Sequence, residues 1–338
     1  TAAGLRTFDV RVRSAAEEVA LALEWDTTHA GQLTARAASR MERADEGWRF
    51  ADDAPLSGNV QARLEDMGVW GLFTPPGWRM QGRLQADLTL HGTLGRPELR
   101  GPVEGTGLNI RSVLDGVELH QGVLRAAFEG PRLRLQELTF QGGTGSKAYV
   151  PGMSGNRTQA PTARGTMTAS GLIDWSGVGD AAPGYTGIRM DMQAKLDRMQ
   201  VLVRNDLQLS LSGDMQAGLA DGALRVRGDL TVDRATILLP EAGAATLGDD
   251  VIVLRGDEEL EAVEALAVDG PRGGLQAMRR MDVELRLHLG RDLALSGAGI
   301  STRLEGDLTV RSSPNPGQPF AVFGEVRTDE GRYRAWGQ

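Results

Sequence analysis

The four histidines are the first residues to test for chemistry, because imidazole is both a metal ligand and a general base. They are His29, His91, His120 and His288, and they are scattered along the chain. Each falls on the predicted exterior of a strand or in a loop. We therefore interpret them as solvated residues rather than as a metal site, and the sequence predicts no cofactor.

Three other patterns were tested for catalysis. The loop Gly142–Lys147 is rich in glycine, but its Gly-Ser-Lys order is wrong for a phosphate loop, which needs Gly-Lys followed by Ser or Thr at the start of a helix. The chain has no Gly-x-Ser-x-Gly elbow of the hydrolases. The acidic pairs Asp249-Asp250 and Glu258-Glu259 are sequence neighbours, which point to opposite faces in a strand. An enzyme is therefore the least supported class.

The composition excludes further chemistry. The chain has no cysteine, which rules out disulfides, thiolate catalysis and cysteine-based zinc sites. The formal net charge is −8 and there is no dense basic stripe, which argues against nucleic-acid binding. No apolar run approaches the roughly 20 residues that span a bilayer, and no signal peptide opens the chain. Because Thr1 is not a natural start, we expect a fragment of a longer protein.

The elements that must position any site are strands, and the stretch 188–239 shows them most clearly. Apolar and polar residues alternate strictly in three runs of this stretch, as expected for strands with one dry and one wet face. The dipeptide Asp221-Gly222 between the last two runs favours a tight antiparallel turn. The apolar members of the runs are Ile188, Met190, Met192, Ala194 and Leu196, then Leu207, Leu209, Leu211, Gly213 and Met215, then Leu224, Val226, Gly228, Leu230 and Val232.

The same period of two recurs elsewhere, with local interruptions. Gly105 and Gly107 predict a bulge in one strand, and the phase slip between Leu135 and Leu138 predicts another. Apolar residues at helical spacing, followed by Pro75-Pro76, predict a short helix near 62–73. Glycine is abundant, with 45 residues, and aromatic residues are only 5%, which favours an all-β protein with many turns.

These strands need a cover for their dry face. Almost no amphipathic helix is available, so the predicted antiparallel sheet must fold over or curl to cover itself. The dry face consists of Leu, Val, Ile, Met, Ala and Gly, with almost no polar residue. Two interpretations stay open: an ordinary packed sandwich core, or an apolar groove left partly open for an aliphatic ligand.

Several motifs in the chain resemble the TamB family, and the resemblance covers most of residues 56–338. The C-terminal motif is the most specific part, and Gly82–Gly101 also fits. The motifs are Leu289–Leu293, Gly299–Val310, Gly324–Val326 and Gly331–Gln338, preceded by Gly228–Val232, Leu239–Glu241 and Asp249–Val251.

The resemblance implies an elongated β-taco, which is a curled sheet with an apolar inner groove. It also implies a location in the periplasm of a Gram-negative bacterium, with the full-length protein anchored in the inner membrane. The implied ligands are phospholipid acyl chains. The implied partner is an outer-membrane barrel protein of the Omp85 type (TamA-like), contacted through the C-terminal region. The family's membrane anchor and last strands are missing from this sequence, so we expect a truncated segment.

We divide the chain into four parts on this basis. They are an N-terminal β segment at 1–55, a continuous β-taco body at 56–239 with the short helix near 62–73, an irregular insertion at 240–281, and a truncated C-terminal TamB-like β segment at 282–338.

The functional hypothesis is a groove that conducts phospholipid between the two membranes and supports outer-membrane protein assembly. One alternative is a scaffold that templates barrel strands through an exposed sheet edge, without lipid transport. Another is a closed structural β-solenoid with a packed core. The residues expected to line the groove are Leu84, Leu88, Leu90, Ile188, Met190, Met192, Leu207, Leu209, Leu211, Leu224, Val226, Leu230, Val283, Leu285 and Leu287.

Overall fold

The structure, a computed structural model, consists of one long sheet of 16 strands and a separate two-stranded hairpin. It describes residues 4–44, 47–68, 77–144, 164–178, 187–239, 281–313 and 320–333. The predicted insertion at 240–281 therefore lies outside the described residues, except for Met281, which begins a strand.

The strands follow the predicted alternation, and many are long. Strands β4 and β5 form the separate hairpin, and all others belong to the main sheet. Their bounds are β1 Leu5–Ala15, β2 Glu18–Thr27, β3 Gln32–Arg40, β4 Glu42–Ala44, β5 Gly47–Arg49, β6 Ser57–Leu64, β7 Trp78–Gly92, β8 Pro97–Ser112, β9 Val117–Gly130, β10 Arg132–Gln141, β11 Thr166–Asp174, β12 Arg189–Val203, β13 Leu207–Ala220, β14 Ala223–Leu238, β15 Met281–Leu289, β16 Leu293–Gly297, β17 Ile300–Ser312 and β18 Phe320–Tyr333.

Local sequence signals explain several connections and irregularities. Asp221 and Gly222 form the two-residue turn between β13 and β14, both with positive φ (51° and 71°), as in a type I′ hairpin. The predicted bulge of β8 is confirmed by a register shift between Thr106 and Leu108. The predicted slip in β10 is confirmed by register shifts that begin at Leu135.

Neighbouring strands pair antiparallel throughout the sheet, except at one junction. Strand β14 pairs in parallel with β15 along Leu224–Val232, and with β16 along Ala235–Leu238. Strands β15 and β16 therefore lie end to end beside β14, and β17 pairs with both. A parallel pair needs a long crossover, which the chain between Leu238 and Met281 is long enough to supply. The predicted elongated, curled antiparallel sheet is confirmed, with this junction as its exception.

The helix predicted near 62–73 is wrong for the part of it that the structure describes. Ala62 and Leu64 complete β6 and pair with Ala86 and Leu84 of β7. Met67 begins a single 3₁₀ turn, and residues 69–76 lie outside the described residues. The apolar spacing fitted both a helix and a strand, and pairing with β7 favours the strand. No helix in the described ranges has the length and apolar character needed to cross a membrane.

The sheet is long in its hydrogen-bonding direction. Because β15 and β16 share one position, its 16 strands occupy fifteen positions. At about 4.8 Å per position, the sheet measures roughly 70 Å along its curved surface. One face carries the apolar side chains and is called the inner face here, and the opposite face is called the outer face.

The inner face is packed most tightly around β8 to β16. One buried cluster joins Leu108, Phe140, Leu196, Met199 and Leu230. A second joins Val232, Ala235 and Leu293 at the far ends of β14 and β16. The short strands β10 and β11 end early, so β9 and β12 approach each other beyond them. There the backbone N–H of Val203 donates to the carbonyl of Gly116 at 2.9 Å.

Candidate functional site: the inner face of the sheet

The inner face is built from rows of residues that are paired in register from strand to strand. One row passes through the middle of eleven strands, from β3 to β15, and a second runs beside it. The first row is Leu33, Ala62, Ala86, Val103, Ala126, Leu135, Gly171, Met192, Ala217, Val226 and Val283. The second is Leu64, Leu84, Gly105, Leu124, Leu138, Ala169, Ala194, Met215, Gly228, Leu285 and Val310.

No charged residue interrupts these rows. In the described strands from β6 to β17, every position on the inner side of the alternation carries an uncharged residue, and nearly all are apolar. Polar exceptions stand at strand ends, such as Ser112 and Thr302, both buried. An uninterrupted apolar surface can hold aliphatic groups but offers almost no partner for a polar one.

The structure places fourteen of the fifteen predicted lining residues in strands on this one face, and Ile188 directly precedes β12. It brings most of them together. Met192 and Val226 lie in the first row with Val283, and Leu230 pairs with Leu287. Leu84, Leu88 and Leu90 lie on β7, five strand positions from β12 and so roughly 24 Å away along the sheet.

The inner face is covered unevenly. On β1 it is open, with Phe8 62% and Val12 65% exposed. Around β14 it is closed, with Leu230 3% and Val232 4% exposed. Most predicted lining residues lie between these extremes and are half-buried, among them Leu84, Met190 and Met192. Leu88, Leu230 and Val283 are buried. The half-buried residues are the ones that a ligand could reach without opening the core.

The outer face carries the charges, many of them in cross-strand ion pairs. Arg125 of β9 contacts Glu137 of β10 at 2.7 Å, and Arg134 donates two hydrogen bonds to Glu129. The hydrogen bond from Arg134 holds the pKa of the Glu129 carboxyl below its ordinary value. Exposed pairs of this kind are screened by water and add little to stability. They keep this part of the outer face in contact with water, so it resembles ordinary protein surface and the inner face does not.

The sequence alone did not predict that one histidine contacts two carboxylates. His288 of β15 lies between two carboxylates, with Nδ1 2.6 Å from Asp307 of β17 and Nε2 3.1 Å from Asp229 of β14. Arg286 of the same strand pairs in register with Asp229, and Thr231 stands opposite His288. The cluster thus spans the parallel junction. No group of three or more His, Asp or Glu side chains in the described ranges is arranged to hold a metal ion.

This cluster predicts a pH-dependent contribution to stability. The hydrogen bond to Asp307, and then the charge of Asp229, raise the pKa of His288 above its ordinary value. Because the folded state binds this proton more tightly than the unfolded state, protonated His288 stabilises the fold. This contribution is fully present below about pH 6.5 and is lost as pH rises through the folded-state pKa. We expect His288→Gln to lower the free energy of unfolding more at pH 6 than at pH 9, and the difference should not exceed about 1 kcal/mol because the site is half-exposed. Denaturant titration at the two pH values measures it. His29→Gln is the control, and equal losses at both pH values would contradict the assignment.

Comparison with known proteins shows the family of this chain. The family model of the TamB C-terminal domain matches residues 155–338, more than half of the chain. The translocation and assembly module subunit TamB of Haemophilus influenzae is 19% identical over 294 residues, which cover 86% of this chain and 20% of that protein. The chain thus spans about a fifth of the length of this relative. No solved structure matches the chain significantly. The resemblance in the sequence motifs is confirmed, and the chain belongs to the TamB family.

Proposed function

We propose that the inner face carries phospholipid acyl chains, as one segment of a conduit between the inner and outer membranes. The observation that supports this most is the charge-free apolar surface, paired in register from β3 to β15 and half-exposed over much of its length. In this proposal the chain is a non-enzymatic part of the translocation and assembly module that also supports outer-membrane protein assembly.

The chemistry of the face fits a sliding ligand. Each methylene moved from water onto the face contributes about 0.8 kcal/mol, so an acyl chain gains affinity from its length. Neighbouring positions along the rows are all apolar. An acyl chain that moves from one strand to the next therefore makes similar contacts before and after the move. A polar headgroup finds no partner there, and burying it would cost several kcal/mol. We infer that headgroups stay in water while acyl chains lie on the face.

Family membership supports a proposal about the cellular setting. We propose that the full-length protein is anchored in the inner membrane of a Gram-negative bacterium and extends through the periplasm. Its C-terminal region would contact an Omp85-type barrel protein, which is the partner that the resemblance of the sequence motifs implies. The Haemophilus relative is named as a subunit of a translocation and assembly module, which supports a role in an assembly with partners.

A second candidate function has its own supporting observation. In the described residues, β18 pairs with β17 on one side only, and its Phe320 and Val322 are 46% and 60% exposed. An open strand edge can template an incoming strand by β-augmentation. If this were the main role, proline substitutions in β18 would abolish barrel assembly while lipid binding stayed intact.

A charge on the inner face tests the lipid proposal. Met192 is half-buried in the first row, and its neighbour Gln193 is exposed on the outer face. We expect phospholipid to co-purify with the chain, and Met192→Asp to remove most of it, because the carboxylate cannot be desolvated beside an acyl chain. Gln193→Asp adds the same charge to the same strand and should retain the lipid. Native mass spectrometry with lipid extraction measures both.

The choice of position matters for the outcome. Leu209 packs against the cluster of Val232, Ala235 and Leu293, so an aspartate there would unfold the core rather than report on a ligand. Met192 avoids this, and circular dichroism of Met192→Asp checks the fold. A wild-type chain without lipid, or equal lipid on both variants, would contradict the proposal.

A further inference from the structure

The outer face of the first strands holds a depression that the lipid proposal does not use. It has a volume of about 490 Å³ and lies across β1, β2, β3 and β6. Three arginines line it, Arg11, Arg13 and Arg36, and no acidic residue does. Its floor is formed largely by alanines, Ala20, Ala22 and Ala38.

Strand register explains how the arginines surround the floor. Arg11 pairs with Ala22, and Ala22 pairs with Arg36, so the two arginines stand on either side of an alanine. Two strand spacings separate them, roughly 10 Å between backbones, which lets both guanidinium groups reach a small group between them. Arg13, two residues further along β1, pairs with Ala20 on the same face. The alanines stand on the wet side of the alternation, where their short side chains leave the space open.

The charges of these arginines are poorly compensated. Arg11 is held by Asp9 of the same strand, with Nε 2.8 Å from Oδ1. Within the described part of the chain, Arg13 and Arg36 make no ion pair and no side-chain hydrogen bond. An adjoining depression shares Arg13 and is lined by both Arg40 and Glu18, which lie 3.9 Å apart. In a chain of net charge −8, Arg13 and Arg36 give the first depression a local excess of positive charge.

We propose that this depression binds a phosphate group, carried by a monoester or a diester. Guanidinium groups form bidentate, charge-assisted hydrogen bonds with phosphate oxygens, and a tetrahedral phosphate offers enough oxygens for several arginines at once. Ser57, which also lines the depression, adds a hydroxyl donor. The site takes one group, since the arginines form a single cluster rather than the extended track that a nucleic acid needs.

This site is independent of the lipid proposal, because it lies on the opposite face of the sheet. The phosphate could come from a lipid headgroup at a membrane surface or from a soluble phosphate ester. The two sources share the same chemistry at the arginines but differ in whether a membrane must be present.

The test uses the whole 338-residue chain with two probes. Calorimetric titration with glycerol 1-phosphate measures binding of the soluble group, and flotation with phosphatidylcholine vesicles that contain phosphatidylglycerol measures the headgroup in a membrane. We expect Arg13→Gln with Arg36→Gln to weaken binding at least tenfold, because each arginine contributes charge-assisted hydrogen bonds. Ala22→Leu fills the floor without changing the charge and should also weaken binding. Arg125→Gln removes an outer-face arginine elsewhere and should not.

Each probe gives a decisive outcome. Arginine-dependent binding of glycerol 1-phosphate establishes a site for the soluble group, and arginine-dependent binding of the vesicles alone establishes a headgroup site. Loss of binding in Arg125→Gln to the same extent would show a general charge effect and overturn the proposal. Unchanged binding in Ala22→Leu and in the double variant, or no binding of either probe, would also overturn it. None of these outcomes depends on whether Met192→Asp loses lipid.

Discussion

Gly213→Val is expected to destabilise the chain by about 4 kcal/mol or more, because backbone strain and a steric collision act at the same position. Gly213 lies at the centre of β13, where it pairs with Leu196 on one side and Leu230 on the other. Its φ is +135°, a conformation that a β-branched residue does not adopt without strain. A side chain there would also collide with the neighbouring strand, since its Cβ would lie 2.1 Å from the carbonyl oxygen of Asp229.

The control lies five residues further along the same strand. Gly218 has no positive φ, and the nearest atom to a Cβ there would be the carbonyl oxygen of Met190 at 3.6 Å. Gly218→Val should change the free energy of unfolding by less than about 1 kcal/mol, because the position is only half-buried and valine suits a strand. Denaturant titration of the two variants measures the difference. Similar losses in both would mean that the register of β13 and β14 is not as described.

Phe140→Ala is expected to cost about 4 kcal/mol, through lost burial and the cavity left behind. Phe140 is 4% exposed and joins Leu108, Met199 and Leu230 in the main core cluster. Its ring lies over Gly122 of the adjacent strand, where a side chain would come within 2.3 Å of Cε1. The ring therefore fills space that no neighbouring side chain can fill after its removal.

Phe128→Ala is the control for Phe140→Ala, because it removes the same ring from a more exposed position of the inner face. Phe128 also lies on the inner face, but it is half-buried and packs edge-on against Trp175, with ring centroids 6.0 Å apart. A partly exposed ring loses less on truncation, and we expect about half the cost of Phe140→Ala. Thermal unfolding of both variants measures the two losses of stability. An equal or larger loss for Phe128→Ala would contradict an inner face that is closed around the cluster of Phe140 and more open at the opposite end of β9 and β10.

The alternation of residue types was enough to predict which side chains share a face. Met190, Met192 and Leu224 were assigned to one face from the period of two alone, and pairing in register confirms this. The turn at Asp221-Gly222 was also predictable, because its sequence restricts φ at both positions. These features depend only on residues close together in the sequence.

Features that depend on distant residues were not predictable. Alternation carries no information about strand direction, so the parallel junction of β14 with β15 could not be recognised. The spacing of Leu64 and Met67 suited two structures, and only pairing with β7 decides between them. Alternation also does not show what covers a face: Gln200 and Arg303 occupy outer positions, yet each is only 1% exposed.

The candidate site was predictable only in part, because residue types fix its chemistry but not its shape. The chemical character of the inner face follows from residue types, but its degree of opening depends on how far the sheet curls. The arginine depression had a weak signal in the sequence. Ala20 and Ala22 stand at wet positions of β2, where most other strands carry polar residues, and strand pairing brings Arg13 and Arg11 next to them.

Photo-crosslinking along β12 tests the central claim most directly. A photoreactive amino acid would be placed in turn at each of six consecutive positions, and the folded chain would be irradiated with phospholipid vesicles. The proposal predicts lipid adducts at Met190, Met192 and Ala194, and none at Arg189, Asp191 and Gln193, because the two sets lie on opposite faces. Adducts on both sets alike, or on neither, would contradict a lipid-carrying inner face.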